Sequence, residues 1–467
     1  MTTQTTSVDT MAAATSIHDL ESRLVGELLR PGDETYDDVR QVQIRTFDAR
    51  PAIIVRAAYP GDVVEAVRFA RAHHWPLAVR SGGHSLGGFS AVDGTITIDL
   101  SLMKKVTVDP QRGTARVQAG ANSGDIAGPA EAYGFALSTG DTSSVGVGGL
   151  TTGGGIGWMA RKYGLAIDNL RAVEMVTAEG RLIRASATQH ADLFWAVRGG
   201  GGNFGIITEF EFQLAPAGSI YGGAIVLPAT REVIRGYLDY TPVAPEGLTT
   251  IAFMMAAPPA PFIPEELVGQ LVVLVGVCFV GDPEEGERAL APLRALAEPL
   301  AEAVGAMPYP AMFALTEEAS KPHRVSLRSM FSDELPDDAI DAMISSATNA
   351  TSPMSMVQLR GLGGALAKVP ADATAFAHRE RKYLVAVIGL WVDETDDGVA
   401  HRRWTQELWE ELKQYADGVY VNFLEQEGDA RIREAYPAGT YDRLVDVKRR
   451  YDPENVFRFN QNIKPAA

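Results

Sequence analysis

His84 stands between Gly83 and Ser85 in the run Arg80-Ser81-Gly82-Gly83-His84-Ser85. Successive small residues let backbone N–H groups converge on an anion, a nest suited to a pyrophosphate. A second glycine run, Gly146 to Gly157, can supply an opposite wall. Two such loops suit a dinucleotide better than a mononucleotide. An imidazole at their rim is a nucleophile when neutral; on position alone, a histidine capping a turn explains His84 equally well. A third run matches G-x-G-x-x-G at Gly200, Gly202 and Gly205. The nicotinamide-binding version needs a strand before it and a helix after it. Here the helical-looking Asp192 to Val197 precedes and the alternating strand from Ile206 follows. The order is reversed, and a tight turn into a strand is the better reading.

Other chemistries find little support. The histidines show no paired spacing: His73 and His74 lie near a helix end, and His323, His378 and His401 are far apart. Without a cysteine cluster, no metal site is expected. No P-loop lysine is present, which argues against an NTPase. The net charge of −17 disfavours nucleic acid and anionic membranes as partners. No apolar stretch is long enough to span a bilayer. The single cysteine, Cys278, excludes an intramolecular disulfide and fits a reducing cytoplasm. Met1 to Ser16 lack the basic start and apolar stretch of a secretory signal and read as a flexible tail.

The elements that must position the loops are readable around them. Ala52 to Ala57 reads as a buried strand, and Pro60-Gly61-Asp62 as a turn that caps a helix. Val63, Ala66, Val67 and Ala70 make one helical face, and Leu77 to Arg80 is a second strand feeding the first loop. Thr95 to Leu100 is a further strand. Hairpins are expected around Pro110 to Gly113 and around Glu179-Gly180, with a helix from Ser123 to Tyr133 between them. Ile206 to Leu214 alternates, with Thr208, Phe210, Phe212 and Leu214 on one face. After Pro216 the style changes: strands at Gln270 to Val280, Met356 to Gly361 and Tyr383 to Val392 are separated by helical patterns, including Val399 to Tyr415. That spacing indicates an α+β domain.

From about residue 46 to 216 the chain resembles the FAD-binding domain of the vanillyl-alcohol-oxidase superfamily, the PCMH-type domain. Arg80 to Ser85 resembles the family's first pyrophosphate loop. Val145-Gly146-Val147-Gly148-Gly149-Leu150, Gly153-Gly154-Gly155-Ile156-Gly157 and Arg161-Lys162-Tyr163-Gly164 resemble its second. The ending Tyr451-Asp452-Pro453-Glu454-Asn455 with Asn460-Gln461-Asn462-Ile463 is similar to the C-terminal segment of berberine-bridge enzymes. Together these motifs are specific and point to the bacterial berberine-bridge-like branch.

The resemblance implies an α+β fold: an FAD-binding domain of two α/β subdomains over residues 17–216, a substrate domain over 217–418 with an antiparallel sheet flanked by helices, and a segment over 419–467 that returns to the FAD domain. It implies FAD bonded through its 8α-methyl carbon to His84. The cofactor-binding set it implies is Arg80, Ser81, Gly82, Gly83, Ser85, Val145, Gly146, Gly148, Gly149, Gly153, Gly155, Gly205, Ile206, Asn460 and Asn462. Gln358, Arg360 and His378 are expected on the substrate side, and Asp372 and Asn422 as catalytic groups. Gln358 and Arg360 alternate on one strand and share a face; an exposed polar face explains them equally well.

Two departures matter. Thr142 stands where bicovalent members carry a second, cysteinyl link, so a single attachment is expected. Leu86 stands two residues after the histidine, where some members place a tyrosine of the base, so that base is not carried over. Val145 occupies the family position beside the flavin's reactive C4a edge, where a valine leaves room for O2. The reading is an FAD-dependent oxidase that transfers a hydride from an alcohol, sugar or amine and makes hydrogen peroxide. The alternatives are a dehydrogenase with another acceptor and a flavin-binding protein without turnover. The partners are then a small-molecule substrate and O2, with the chain a monomer or homodimer in the cytoplasm.

Overall fold

The computed structural model describes residues 17–466, and the tail expected over 1–16 lies outside them. Ile53–Arg56 and Leu77–Arg80 both pair in parallel with Ile96–Asp99, and Glu27–Leu29 adds antiparallel to the edge. Parallel strands need a crossover; the helix Pro60–Ala72 joins the two that flank Ile96–Asp99. Its proline at the first position has no N–H to leave unpaired. Asp62 in its first turn is fully buried and accepts from the backbone N–H groups of Val25, Gly26 and Ala58 at 2.8, 3.0 and 2.8 Å. One carboxylate thereby fastens the preceding chain to the helix start.

The second subdomain is a five-stranded antiparallel sheet in the order Val106–Asp109, Thr114–Gln118, Ile206–Gln213, Leu170–Val176, Leu182–Ser186. The alternation expected in its central strand holds, for Thr208, Phe210, Phe212 and Leu214 are all buried. Both sheets contribute to one core, and the C-terminal segment completes it. Val419, Leu424, Leu444, Phe457 and Ile463 pack in the same cluster as Ile53, Val67 and Phe210.

The third unit is a seven-stranded antiparallel sheet. Its order is Ala301–Met307, Ile220–Pro228, Leu271–Phe279, Leu248–Ala256, Met356–Gly361, Tyr383–Trp391, Arg324–Ser332. The four strands that sequence patterning did not reveal are Ile220–Pro228, Leu248–Ala256, Ala301–Met307 and Arg324–Ser332. The first two are buried on both faces and therefore show no apolar–polar alternation. One face, including Val273, Val275, Val357, Leu359, Val385 and Val387, packs under the helices Arg231–Tyr240, Pro283–Arg294, Asp337–Thr348 and Val399–Leu412. The other face meets the half built from the first two sheets. Trp158, fully buried, packs against the strand at Gly276, where an added Cβ would come within 2.7 Å of the indole. No helix among the described residues is long and apolar enough to cross a membrane.

The C-terminal segment is held by a buried charge. Lys448, 0% exposed, donates to Asn203 O, Asp452 Oδ2 and Phe457 O at 2.8, 2.7 and 2.9 Å. Removing one member of a buried pair strands the other. Lys448→Met, which keeps the stem but not the charge, is expected to cost about 3–5 kcal/mol, read as a lowered urea midpoint with the C-terminal segment opened to protease.

Candidate functional site

The two glycine loops meet directly. A Cβ on Gly82 would stand 2.3 Å from Gly146 N, and one on Gly146 would stand 2.2 Å from Gly82 N. Neither position accepts any other residue without parting the loops. Ser81 stitches the contact: its hydroxyl donates to Ala119 O at 2.6 Å and accepts from Gly148 N at 3.3 Å. Gly83 O accepts from Gln43 N at 3.2 Å. Gly148 packs on Ser81, Gly155 on Ala166, and Gly153 on the amide of Asn422, whereas Gly149 faces open space.

Among the described residues, no protein acceptor takes the amide N–H groups of Gly82, Gly83, His84 and Ser85. Unpaired backbone N–H groups in a folded protein are uncommon, and four in succession form an anion nest. Buried acceptors also lack partners, namely Gln43 Oε1, Asn460 Oδ1 and Asn462 Oδ1. Donors for an anion beside acceptors for hydroxyls match the chemistry of a dinucleotide, so the residues present fit FAD.

Arg80 takes no part in that nest. Its guanidinium is committed to Asp99 at 2.7 Å, both groups buried, so this member of the expected cofactor-binding set is engaged within the protein. Ser85 accepts from Phe89 N at 3.1 Å and shapes the turn. Residues Gly83 to Gly87 spell the G-x-S-x-G of hydrolases, but this serine caps a loop rather than rising on a strand–turn–helix elbow. Gly205 packs on Met175 and Val176 as Ile206 enters the core. The Gly199–Gly205 turn is a junction: Gly199 and Gly201 donate to Thr152 O, and Asn460 reaches Gly202 O at 3.2 Å. It thereby joins the second glycine loop to the C-terminal segment.

His84 sits where the loops converge, with Nε2 2.9 Å from Ser144 Oγ. Burial, reinforced by the nearby His323, pushes its pKa down to about 4, so the ring is neutral at physiological pH. On the seven-stranded sheet, Gln358 and Arg360 are buried polar residues set among apolar neighbours such as Ile251 and Phe253. Arg360 donates through Nε to Gln358 Oε1 at 2.7 Å and pairs with Asp141 at 2.6 Å, its guanidinium lying 5.4 Å from the Phe423 ring. Next to it, Asn422 donates to Leu150 O and Tyr420 Oη at 3.0 and 2.9 Å, and Tyr420 accepts from Gly155 N at 3.0 Å.

Gln358, Arg360 and Asn422 are thus brought together over the second loop, whereas His378 and Asp372 are not. His378 bonds to Glu434 O at 2.9 Å and packs on Phe331. The Asp372 side chain is exposed, and its carbonyl accepts from Trp195 Nε1 at 2.8 Å. Both act as fastenings at the domain junction. Sequence reasoning missed Asp141, Ser144 and the buried Asp168–Arg379 pair, bidentate at 2.7 and 2.8 Å. The partners of each pair lie about 200 residues apart or in loops without a distinctive motif. Cys278 is buried in its strand, which raises its thiol pKa and leaves it inert.

Comparison with known proteins follows this geometry. Residues 51–186 match the FAD binding domain model and residues 419–464 the model described as berberine and berberine like. The chain is 32% identical over 461 residues to the uncharacterized FAD-linked oxidoreductase YgaK of Bacillus subtilis, covering 95% of this chain and 98% of that protein. It is 31% identical over 467 residues to (R)-6-hydroxynicotine oxidase of Paenarthrobacter nicotinovorans, covering 94% and 97%. The crystal structure of 6-hydroxy-D-nicotine oxidase from Arthrobacter nicotinovorans superposes with a TM-score of 0.86 at 28% identity, covering 95% of this chain and 98% of that one.

The loop contact makes a sharp contrast testable. Gly82→Ala and Gly146→Ala are each expected to abolish most FAD binding, whereas Gly149→Ala, which meets nothing within 4 Å, is expected to retain it. The flavin-to-protein absorbance ratio of the purified variants decides.

Proposed function

The chain belongs to the FAD-linked oxidoreductases that carry a berberine-like C-terminal segment, and from that premise we propose that it is an oxidase with FAD bonded at His84. When bound, FAD supplies the two-electron acceptor for a substrate hydride. The observation that carries the attachment is a neutral imidazole at the meeting point of the two loops. A neutral ring has a free lone pair. Thr142, where a second sulfur link would stand, has none to offer.

The protein's own residues divide the remaining work. The Gly82–Ser85 amides hold the pyrophosphate, and Asn460 and Asn462 accept from cofactor hydroxyls. Gln358 and Arg360 orient the substrate. Because Asp141 neutralises Arg360, this face carries no net charge and suits the hydroxyl of an alcohol or sugar as well as a neutral amine. Tyr420, Phe423 and Phe331 form the aromatic surround that keeps water out. Asn422 fixes Tyr420 and the second loop relative to each other.

Acceptance by O2 rests on Val145, half-buried just ahead of Gly146, and is supported by the oxidase named among the relatives. A valine leaves space that one further methylene fills, and packed surroundings register changes of that size.

Acid-precipitated protein should stay yellow, and a tryptic peptide containing His84 should carry the flavin mass. A colourless precipitate with FAD in the supernatant overturns the attachment. His84→Ala should still bind FAD without the bond, since the nest is intact.

Anaerobically reduced protein should reoxidise within seconds in aerated buffer. Val145→Leu should slow that step by about tenfold, the equivalent of ~1.4 kcal/mol in the barrier, while substrate reduction of the flavin is unchanged. Reduced flavin that persists for minutes in air yet discharges quickly to a quinone dye would mark a dehydrogenase.

A further inference from the structure

An imidazole has two nitrogens that can carry the proposed bond, and the surroundings of His84 distinguish them. Nε2 faces Ser144 Oγ at 2.9 Å, and among the described residues Nδ1 has no hydrogen-bond partner. The serine is held from both sides. Its carbonyl lies 3.1 Å from where a Gly82 Cβ would stand, and Gly146, two residues on, abuts Gly82. Ser143 Oγ contacts Ser320 Oγ at 2.9 Å, which anchors the same stretch to the substrate domain. The other imidazole near His84, that of His323, is spoken for at Nδ1 by Lys321 O at 2.8 Å. Its backbone joins the first loop through Gln43, which donates to Gly83 O and accepts from His323 N at 3.1 Å.

We propose that Ser144 is the positioning residue for flavin attachment: its hydroxyl accepts the Nε2–H of His84, which leaves the Nδ1 lone pair to bond the 8α carbon. The inference rests on the reading of His84 as the attachment point. In the step, one C–H bond of the 8α-methyl group and the imidazole N–H bond break, and an Nδ1–C bond forms. The methyl proton leaves to solvent, and the Nε2 proton leaves through the Ser144 hydroxyl. Two electrons remain on the flavin and then reduce O2, so that methyl flavin, imidazole and O2 give linked flavin and hydrogen peroxide. A serine in this role fixes ring orientation before the cofactor arrives, which spares that cost in the bond-forming step.

The test follows covalent incorporation directly. Wild type, Ser144→Ala and Ser144→Thr are produced as apoprotein in riboflavin-depleted cells and incubated with FAD in air. Linked flavin is read as fluorescence in denaturing gels, and noncovalent affinity as flavin fluorescence quenching. Ser144→Ala should incorporate about 5- to 10-fold more slowly, the rate equivalent of one lost hydrogen bond, with affinity unchanged. Ser144→Thr, which keeps the hydroxyl, should recover most of the rate. NMR of the wild-type flavopeptide should show linkage at Nδ1. An Nε2 linkage, or wild-type incorporation by Ser144→Ala, overturns the proposal. Absence of any linked flavin in wild type instead brings down the attachment at His84, and this proposal with it.

Discussion

The close approach of Gly82 to Gly146 is the constraint on which the site depends. It is backbone against backbone, so its spacing is set by van der Waals radii rather than by flexible side chains. From it follow the close apposition of the two loops and the position of Ser144, whose carbonyl abuts Gly82 and whose hydroxyl meets His84. The helix Val147–Gly153 begins from the same contact, and its far end is packed against Asn422. A cofactor site built this way has little room to adjust. Its precision comes from having no atoms to spare.

Around that contact, buried ion pairs act as orientation locks rather than as sources of stability. Arg80–Asp99, Asp168–Arg379 and Arg360–Asp141 all lie in protected surroundings. Such pairs gain little over apolar packing, because desolvation offsets their attraction. What they add is directional selectivity: a charged side chain tolerates only its partner. Asp168–Arg379 fixes the segment that crosses from the seven-stranded sheet back over the FAD domain, and Arg360–Asp141 fixes the sheet face above the loops. Trp158 against Gly276 supplies the apolar counterpart, filling a place that a side chain on that strand would occupy.

Local signals made the frame legible. Clustered glycines, the alternation of Ile206 to Leu214 and the Pro60 helix start each act within a few residues, and each was readable. The strands Ile220–Pro228 and Leu248–Ala256 were not, since covering both faces of a strand erases its period. Arg80 shows the limit of local reading: it stands at the start of a glycine loop, but its ionic partner Asp99 lies 19 positions on in an adjacent strand. Asp141 and Ser144 gave no signal, because their significance comes from Arg360 and His84, which only the folded chain brings to them. Asp372, expected from likeness of segment, and His378, expected on the substrate side, make hydrogen bonds at a domain junction, a placement that no local pattern signals.

The C-terminal segment carries a consequence for biosynthesis. The core that begins at Ile53 also contains Phe457 and Ile463, so a nascent chain cannot finish it until those late residues have emerged. The seven-stranded sheet and its helices, by contrast, lie wholly within 220–412 and can form while the ribosome is still at work. Assembly is therefore staged against the direction of synthesis: the half that emerges first is completed last. The unfinished FAD domain spends that interval with apolar strands uncovered, which makes it the part of the molecule most in need of chaperone protection, and its cofactor site is complete only after the C-terminal segment has docked.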